Sequence, residues 1–160
     1  MNLDNYRKDF SIFIFNENIH MARLLKESLT SKGYEAHFYS SQSLFMQAIY
    51  LTLPHMVVLP YFQGVQEMIS EVKKISKEIQ IILCGEDEHL ENIMALVERG
   101  MAYDFSLNVV KNVKGFQHRV DQAAEKWLIS ITKEQEPESE PFGNIFKNGQ
   151  RDLILDSERS

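Results

Sequence analysis

One cysteine, Cys84, stands in 160 residues, so the chain has no disulfide framework and fits a reducing, cytoplasmic setting. Seven glycines and four prolines are too few for a collagen-like or low-complexity chain. No apolar run approaches the length of a bilayer span, and the polar opening MNLDNYRKDF is not a signal peptide, so no membrane partner is expected. Basic residues are the minority, 17 against 23 acidic, for a net charge of −6; this leaves no footprint for nucleic acid. The five histidines (20, 37, 55, 89 and 118) show no paired spacing on one helix and no cysteine partner, which argues against a metal site. There is no G-x-S-x-G nucleophile elbow. No glycine-rich loop follows the first apolar run, where Asn16-Glu17-Asn18-Ile19-His20 stand instead, so no dinucleotide or nucleoside-triphosphate cradle, and no cofactor, is expected.

What the chain does have is alternation. Residues 10–16, FSIFIFN, form a short apolar run of the kind buried on both faces of a sheet. A helical pattern follows, with Met21, Leu24, Leu25, Ser28 and Leu29 at the right spacing and Gly33 placed to end it. Residues 34–40 have strand character. Residues 43–53 read as a helix with Leu44, Ala48 and Leu51 on one stripe, closed by Pro54. HMVVL (55–59) is the next strand. Val65, Met68, Ile69, Val72 and Ile75 then share one face of an amphipathic helix. IQIILCG (79–85) is a fourth strand. The helix after it has acids in its first turn, Arg99 near its end and Gly100 as its stop. Residues 101–107 alternate as a fifth strand. Residues 113–131 place Phe116, Val120, Ala123, Ala124, Trp127 and Ile131 at helical spacing.

Five strand–helix units argue for an α/β fold, a doubly wound five-stranded parallel sheet covered on both faces by right-handed crossovers. On such sheets ligands sit at the carboxyl ends of the strands. The domain is expected to span 1–133. Beyond it, EQEPESEP (134–141) has linker composition, and 142–160 is a tail with two small apolar clusters. From Glu134 onward there are seven acidic residues against three basic, a net −4, which leaves −2 for the body.

The segments IFIFNENIHMARLLKESLTSKGYE, HMVVLP and ALVERGMAYDFSL resemble the first strand and helix, third strand, and fourth helix with fifth strand of bacterial response-regulator receiver (CheY-like) domains. The resemblance covers residues 10–131 and implies a flavodoxin-like (βα)5 fold. It also implies a site. In the family, two acids after the first strand and an aspartate ending the third bind Mg²⁺ through oxygen. That aspartate accepts the phosphoryl group, and a Thr or Ser ending the fourth strand and a Lys ending the fifth hold its oxygens. These positions fall here on Asn16 and Glu17, Pro60, Cys84 and Leu107, and only Glu17 keeps its chemistry. Pro60 has no side-chain oxygen to phosphorylate. Its neighbours Leu59 and Tyr61 have no carboxylate either, so a shift of one residue restores nothing. The family's switch aromatic falls on Asp104, between Tyr103 and Phe105. The sequence thus resembles a degenerate pseudo-receiver without metal or catalytic residues.

With the reaction removed, the resemblance implies a surface. The family docks partners and dimerises through its fourth helix, fifth strand and fifth helix. Here that face includes Arg99, Tyr103, Asp104, Lys111, Arg119, Asp121 and Trp127. The expected function is a phosphorylation-independent protein–protein interaction module in bacterial signalling. Its partner would be a signalling protein, an output domain of a longer chain, or a second copy. The alternatives are a small-ligand (nucleotide) sensor, or a small enzyme with Glu17, Cys84 or His55 at the strand ends. For Cys84 a small buried hydrophobe is preferred to a redox thiol, for Glu17 a dipole partner to a cation ligand, and for Trp127 helix packing to a docking residue.

Overall fold

The structure is a computed structural model that describes residues 2–135. The chain divides into two units, Met1–Leu128 and Ile129–Ser160. The first unit contains the whole sheet, in the order β1 (Ser11–Phe15), α1 (Ile19–Thr30), β2 (Glu35–Tyr39), α2 (Gln42–Leu51), β3 (Met56–Pro60), α3 (Val65–Ile75), β4 (Gln80–Gly85), α4 (Leu90–Glu98) and β5 (Asp104–Leu107). Helix α5 (Val113–Gln135) begins in the first unit and continues into the second. The linker and tail expected at 134–160 lie outside the described residues, except that Glu134 and Gln135 extend α5.

All strand pairs are parallel, and the order across the sheet is β2-β1-β3-β4-β5. Because the strands are covered on both sides, their apolar runs are continuous instead of alternating. Ile12 and Ile14 of β1 face one core, with Leu25 and Leu29 of α1 and Phe116, Val120 and Ala124 of α5. Phe13 and Phe15 face the other, with Phe45 and Ile49 of α2, Met68 and Ile69 of α3, and Ile93 of α4. The expected five-unit doubly wound sheet is the observed one.

Local chemistry sets the helix ends. Asn18 begins α1 by accepting the Met21 N–H at 3.1 Å, and the Ser41 hydroxyl begins α2 by accepting from Leu44 at 3.3 Å. Gly64 enters α3 at φ +105°, a conformation that costs a residue with a Cβ far more than glycine.

Three expectations need correction. In α2 the buried pair is Phe45 and Ile49, whereas Leu44 and Leu51 are exposed and Ala48 is only half-buried. The helix is apolar on most of its circumference, so periodicity alone could not choose the face; Phe45 wins by packing against Phe15 and Tyr39, ring centroids 5.6 and 6.1 Å away. Strand β5 begins at Asp104, not 101, because the chain is still turning out of α4 through Gly100 at φ +77°. Residues before β1 are ordered as two 3-10 turns, Leu3–Asn5 and Arg7–Asp9, in a stretch where no element was expected.

Candidate functional site

The carboxyl edge of the sheet is built from the ends of β1, β3, β4 and β5. Past β1, the Asn16 N–H donates to the Tyr39 carbonyl at 3.1 Å, and the Asn16 side-chain oxygen accepts from the Asn18 N–H at 2.9 Å. Both amides of the Asn16-Glu17-Asn18 turn are therefore spent on backbone, one closing the turn and the other capping α1. Glu17 is exposed at the tip.

Pro60 ends β3 directly beside Cys84 of β4. Its missing N–H does no damage there, because β3 stops pairing with β1 at Val58. Above it lies a cleft of ≈ 320 Å³. Phe15, Pro60 and Phe62 form the apolar wall, and Asn16, Glu17, Asn18 and Gln42 the polar rim.

The β4–β5 side is closed down. Cys84 is half-buried, and burial pushes its thiol up to about 12, so it stays protonated at neutral pH. Leu107, paired with Gly85, packs against the core under α3 and α4. The loop into α4 folds over the strand end: the Glu86 N–H donates to His89 Nδ1 at 3.1 Å, and the His89 ring lies 5.0 Å from that of Tyr61. Asn108, at φ +52°, donates through its backbone to the Gly85 carbonyl at 2.8 Å and through its side chain to Asp87 at 2.9 Å. A Cβ at Gly85 would stand 2.6 Å from Ile93 Cδ1 and 3.2 Å from His89 Nδ1, so only glycine fits beneath this loop without movement.

These donors do not fit the Mg²⁺ that the fold family implies. A hard cation of that size takes six oxygens in near-octahedral geometry. At this edge one free carboxylate, Glu17, stands beside an amide oxygen already used in a turn, a proline and a leucine. Among the described residues, no group of three or more His, Cys, Asp and Glu is placed to hold a metal ion. The edge therefore offers an apolar wall and a rim of amides with one carboxylate, Glu17.

The residues expected on the α4–β5–α5 face do not all meet. Asp104 and Arg119 do, as an ion pair at 2.8 Å, with the guanidinium 5.2 Å from the Phe105 ring centroid. The Lys126 ammonium lies 5.3 Å from the Tyr103 ring centroid beside them. Lys111 and Arg99 are exposed, and Arg99 reaches Gln66 of α3 at 3.4 Å. Asp121 points elsewhere, to Arg7, Lys32 and Tyr34, because its place on α5 faces α1 and the amino-terminal turns. Trp127 is half-buried against Phe10 and His55, centroids 5.3 and 4.8 Å away, at the amino ends of β1 and β3. Lys126, Tyr61, His89 and Asn108 belong to these clusters and had no signal in the sequence beyond their residue type, whereas Phe105 stood next to the expected switch position.

No family model matches the chain, and no curated protein matches it by sequence. Solved structures do match its fold. A response regulator receiver domain protein from Clostridium thermocellum superposes with a TM-score of 0.65 at 15% identity, over 74% of this chain and 97% of that one. An orphan response regulator of H. pylori gives 0.64 at 15% identity, over 74% and 98%. An adenylate cyclase from Rhodopirellula baltica gives 0.64 at 16% identity, over 78% and 95%. At such identities the shared property is the backbone: the chain has the flavodoxin-like fold of response-regulator receivers, five parallel strands between two helical layers.

Proposed function

We propose that this chain is a phosphorylation-independent receiver-like module that regulates by protein–protein contact in bacterial signal transduction. The observation that carries the reading is Pro60 at the end of β3, beside a half-buried neutral thiol and a leucine that packs into the core. A receiver that cannot form an acyl phosphate still presents the surface of the fold. A signalling protein or an output domain would dock on the α4–β5–α5 face, where Arg99, Tyr103, Asp104, Lys111 and Arg119 stand. The module would span 1–133, work in the cytoplasm, and use neither nucleic acid nor membrane; among the described residues no helix is long and apolar enough to cross one. Binding controls output only when the partner prefers one of two states, so the partner's affinity is itself the signal.

Intact-mass measurement after incubation with acetyl phosphate and Mg²⁺ tests this. No phosphoryl adduct is expected. A stable aspartyl or glutamyl phosphate at any residue overturns the reading.

A further inference from the structure

The cleft above Pro60 is lined by polar groups that the fold itself does not use. Two amides on its rim are fixed through their oxygens. Asn16 Oδ1 accepts from the Asn18 N–H at 2.9 Å, and Asn18 Oδ1 accepts from the Met21 N–H at 3.1 Å. Each amide is thereby held in one orientation, and its NH2 group has no acceptor among the described residues. The Gln42 amide and the Glu17 carboxylate, both exposed on the same rim, have no partner among the described residues either. The wall is made of rings. Phe62 stands edge-on to the buried Phe15, centroids 6.4 Å apart and planes at 67°, and Pro60 lines the same cleft. At ≈ 320 Å³ the cleft lies at the small end of the range for ligand pockets, about 300–1,000 Å³.

We propose that this cleft binds a small, uncharged, planar nitrogen heterocycle of the class of a purine base or nucleoside. The lining selects that class by what it can and cannot satisfy. Phe62 and Pro60 offer surfaces on which a flat ring packs. The fixed NH2 groups of Asn16 and Asn18 call for acceptors, which ring nitrogens and a ring carbonyl supply. The Glu17 carboxylate only accepts, so it calls for an N–H, which an amino group or ring N–H supplies. No basic side chain lines the cleft, so a phosphate or carboxylate on the ligand would face Glu17 with no cation to pair it. A lipid chain would leave the rim unpaired, and a sugar alone would leave the rings unused. The inference goes beyond regulation by protein contact. It concerns a different part of the surface from the α4–β5–α5 face, and either reading can fail without the other.

NMR titration of the isotope-labelled full chain with adenosine and with guanosine tests it. The side-chain NH2 resonances of Asn16, Asn18 and Gln42 should shift saturably with at least one of the two. Phe62→Ala should raise the dissociation constant at least about fivefold, the low end of what aromatic stacking on a base contributes. Glu17→Ala, at an exposed position, should raise it at least about threefold through the loss of one hydrogen bond, with the melting temperature unchanged. The corresponding monophosphate should bind no more tightly than the nucleoside. Indole, which has the flat ring without the acceptors, should bind more weakly. The proposal is overturned if neither nucleoside gives a saturable shift or if the shifts map elsewhere. It is equally overturned if indole or the monophosphate binds as well as or better than, respectively tighter than, the nucleoside, or if Glu17→Ala leaves the affinity unchanged.

Discussion

The Arg7 guanidinium forks across the Asp121 carboxylate, Nε to Oδ1 at 3.2 Å and an Nη to Oδ2 at 3.1 Å. Lys32 reaches the same carboxylate at 3.3 Å, and the Tyr34 hydroxyl donates to it. One acid on α5 thereby holds the turn before β1 and the turn after α1. Removing it leaves a largely buried guanidinium with Asp4 as its remaining acidic partner. Asp121→Ala should destabilise the domain by about 2–4 kcal/mol, and Asp121→Asn by less, read from urea midpoints at pH 7.

The same carboxylate makes stability depend on acid pH. Burial alone would raise its pKa, but hydrogen bonds from Arg7 and Tyr34 and the charges of Arg7 and Lys32 outweigh burial and hold it below the ordinary aspartate range. A depressed folded-state pKa contributes stability above the unfolded value and loses it as pH falls through the folded one. The wild type should therefore lose stability below about pH 4 more steeply than Asp121→Asn, in thermal melts taken across the acid range.

His55 titrates in a milder range. Its Nδ1 accepts the Ser11 N–H at 3.0 Å, and its ring packs between Phe10 and Trp127. Burial lowers its pKa from 6.5, against a smaller opposing pull from Asp9. The unfolded chain then takes up the proton first, so stability should decline as pH falls below the unfolded value, from about 7 towards 5. His55→Gln should flatten that part of the profile while lowering stability at pH 8 through lost ring packing.

Those two clusters mark the limit of what the sequence makes legible. The apolar runs at 10–16, 55–59 and 79–85 identify three of the strands because each is too short for a helix and is bounded by polar residues. The stripe of Val65, Met68, Ile69 and Val72 identifies the buried face of α3 because charges occupy the opposite side. Where that contrast is missing, as in α2, the same reasoning chose Leu44 and Leu51 over Phe45 and Ile49. The Arg7–Asp121 pair spans 114 positions and leaves no local pattern at all. At the carboxyl edge, Asn16, Pro60, Cys84 and Leu107 are visible as residue types. That His89 and Asn108 fold a loop over them is a matter of backbone geometry.

Gly85 makes the loop testable. Gly85→Ala should cost about 1–3 kcal/mol, since the new methyl meets Cδ1 of the fully buried Ile93 at 2.6 Å. Ile93→Val removes that atom. The double variant should be more stable than the sum of the two single losses predicts, a coupling that chemical-denaturation cycles would resolve.

Cys84 should be slow to react. With its thiol pushed up to about 12 by burial, Cys84 is almost wholly protonated at pH 8, so alkylation by iodoacetamide should be far slower than that of a free thiol peptide. Labelling as fast as that of a free thiol peptide, followed by quenched mass analysis, would contradict the packing at the end of β4.

The turn in which Asn18 donates its N–H to the Asn16 amide bears on how this edge answers a single substitution. Pro60→Asp would place a carboxylate at the end of β3, yet its neighbours are otherwise engaged: an amide oxygen committed to a turn, and Leu107 seated among apolar side chains. Each of these side chains is held by its own surroundings, so one new carboxylate arrives without the further oxygens that a hard cation requires.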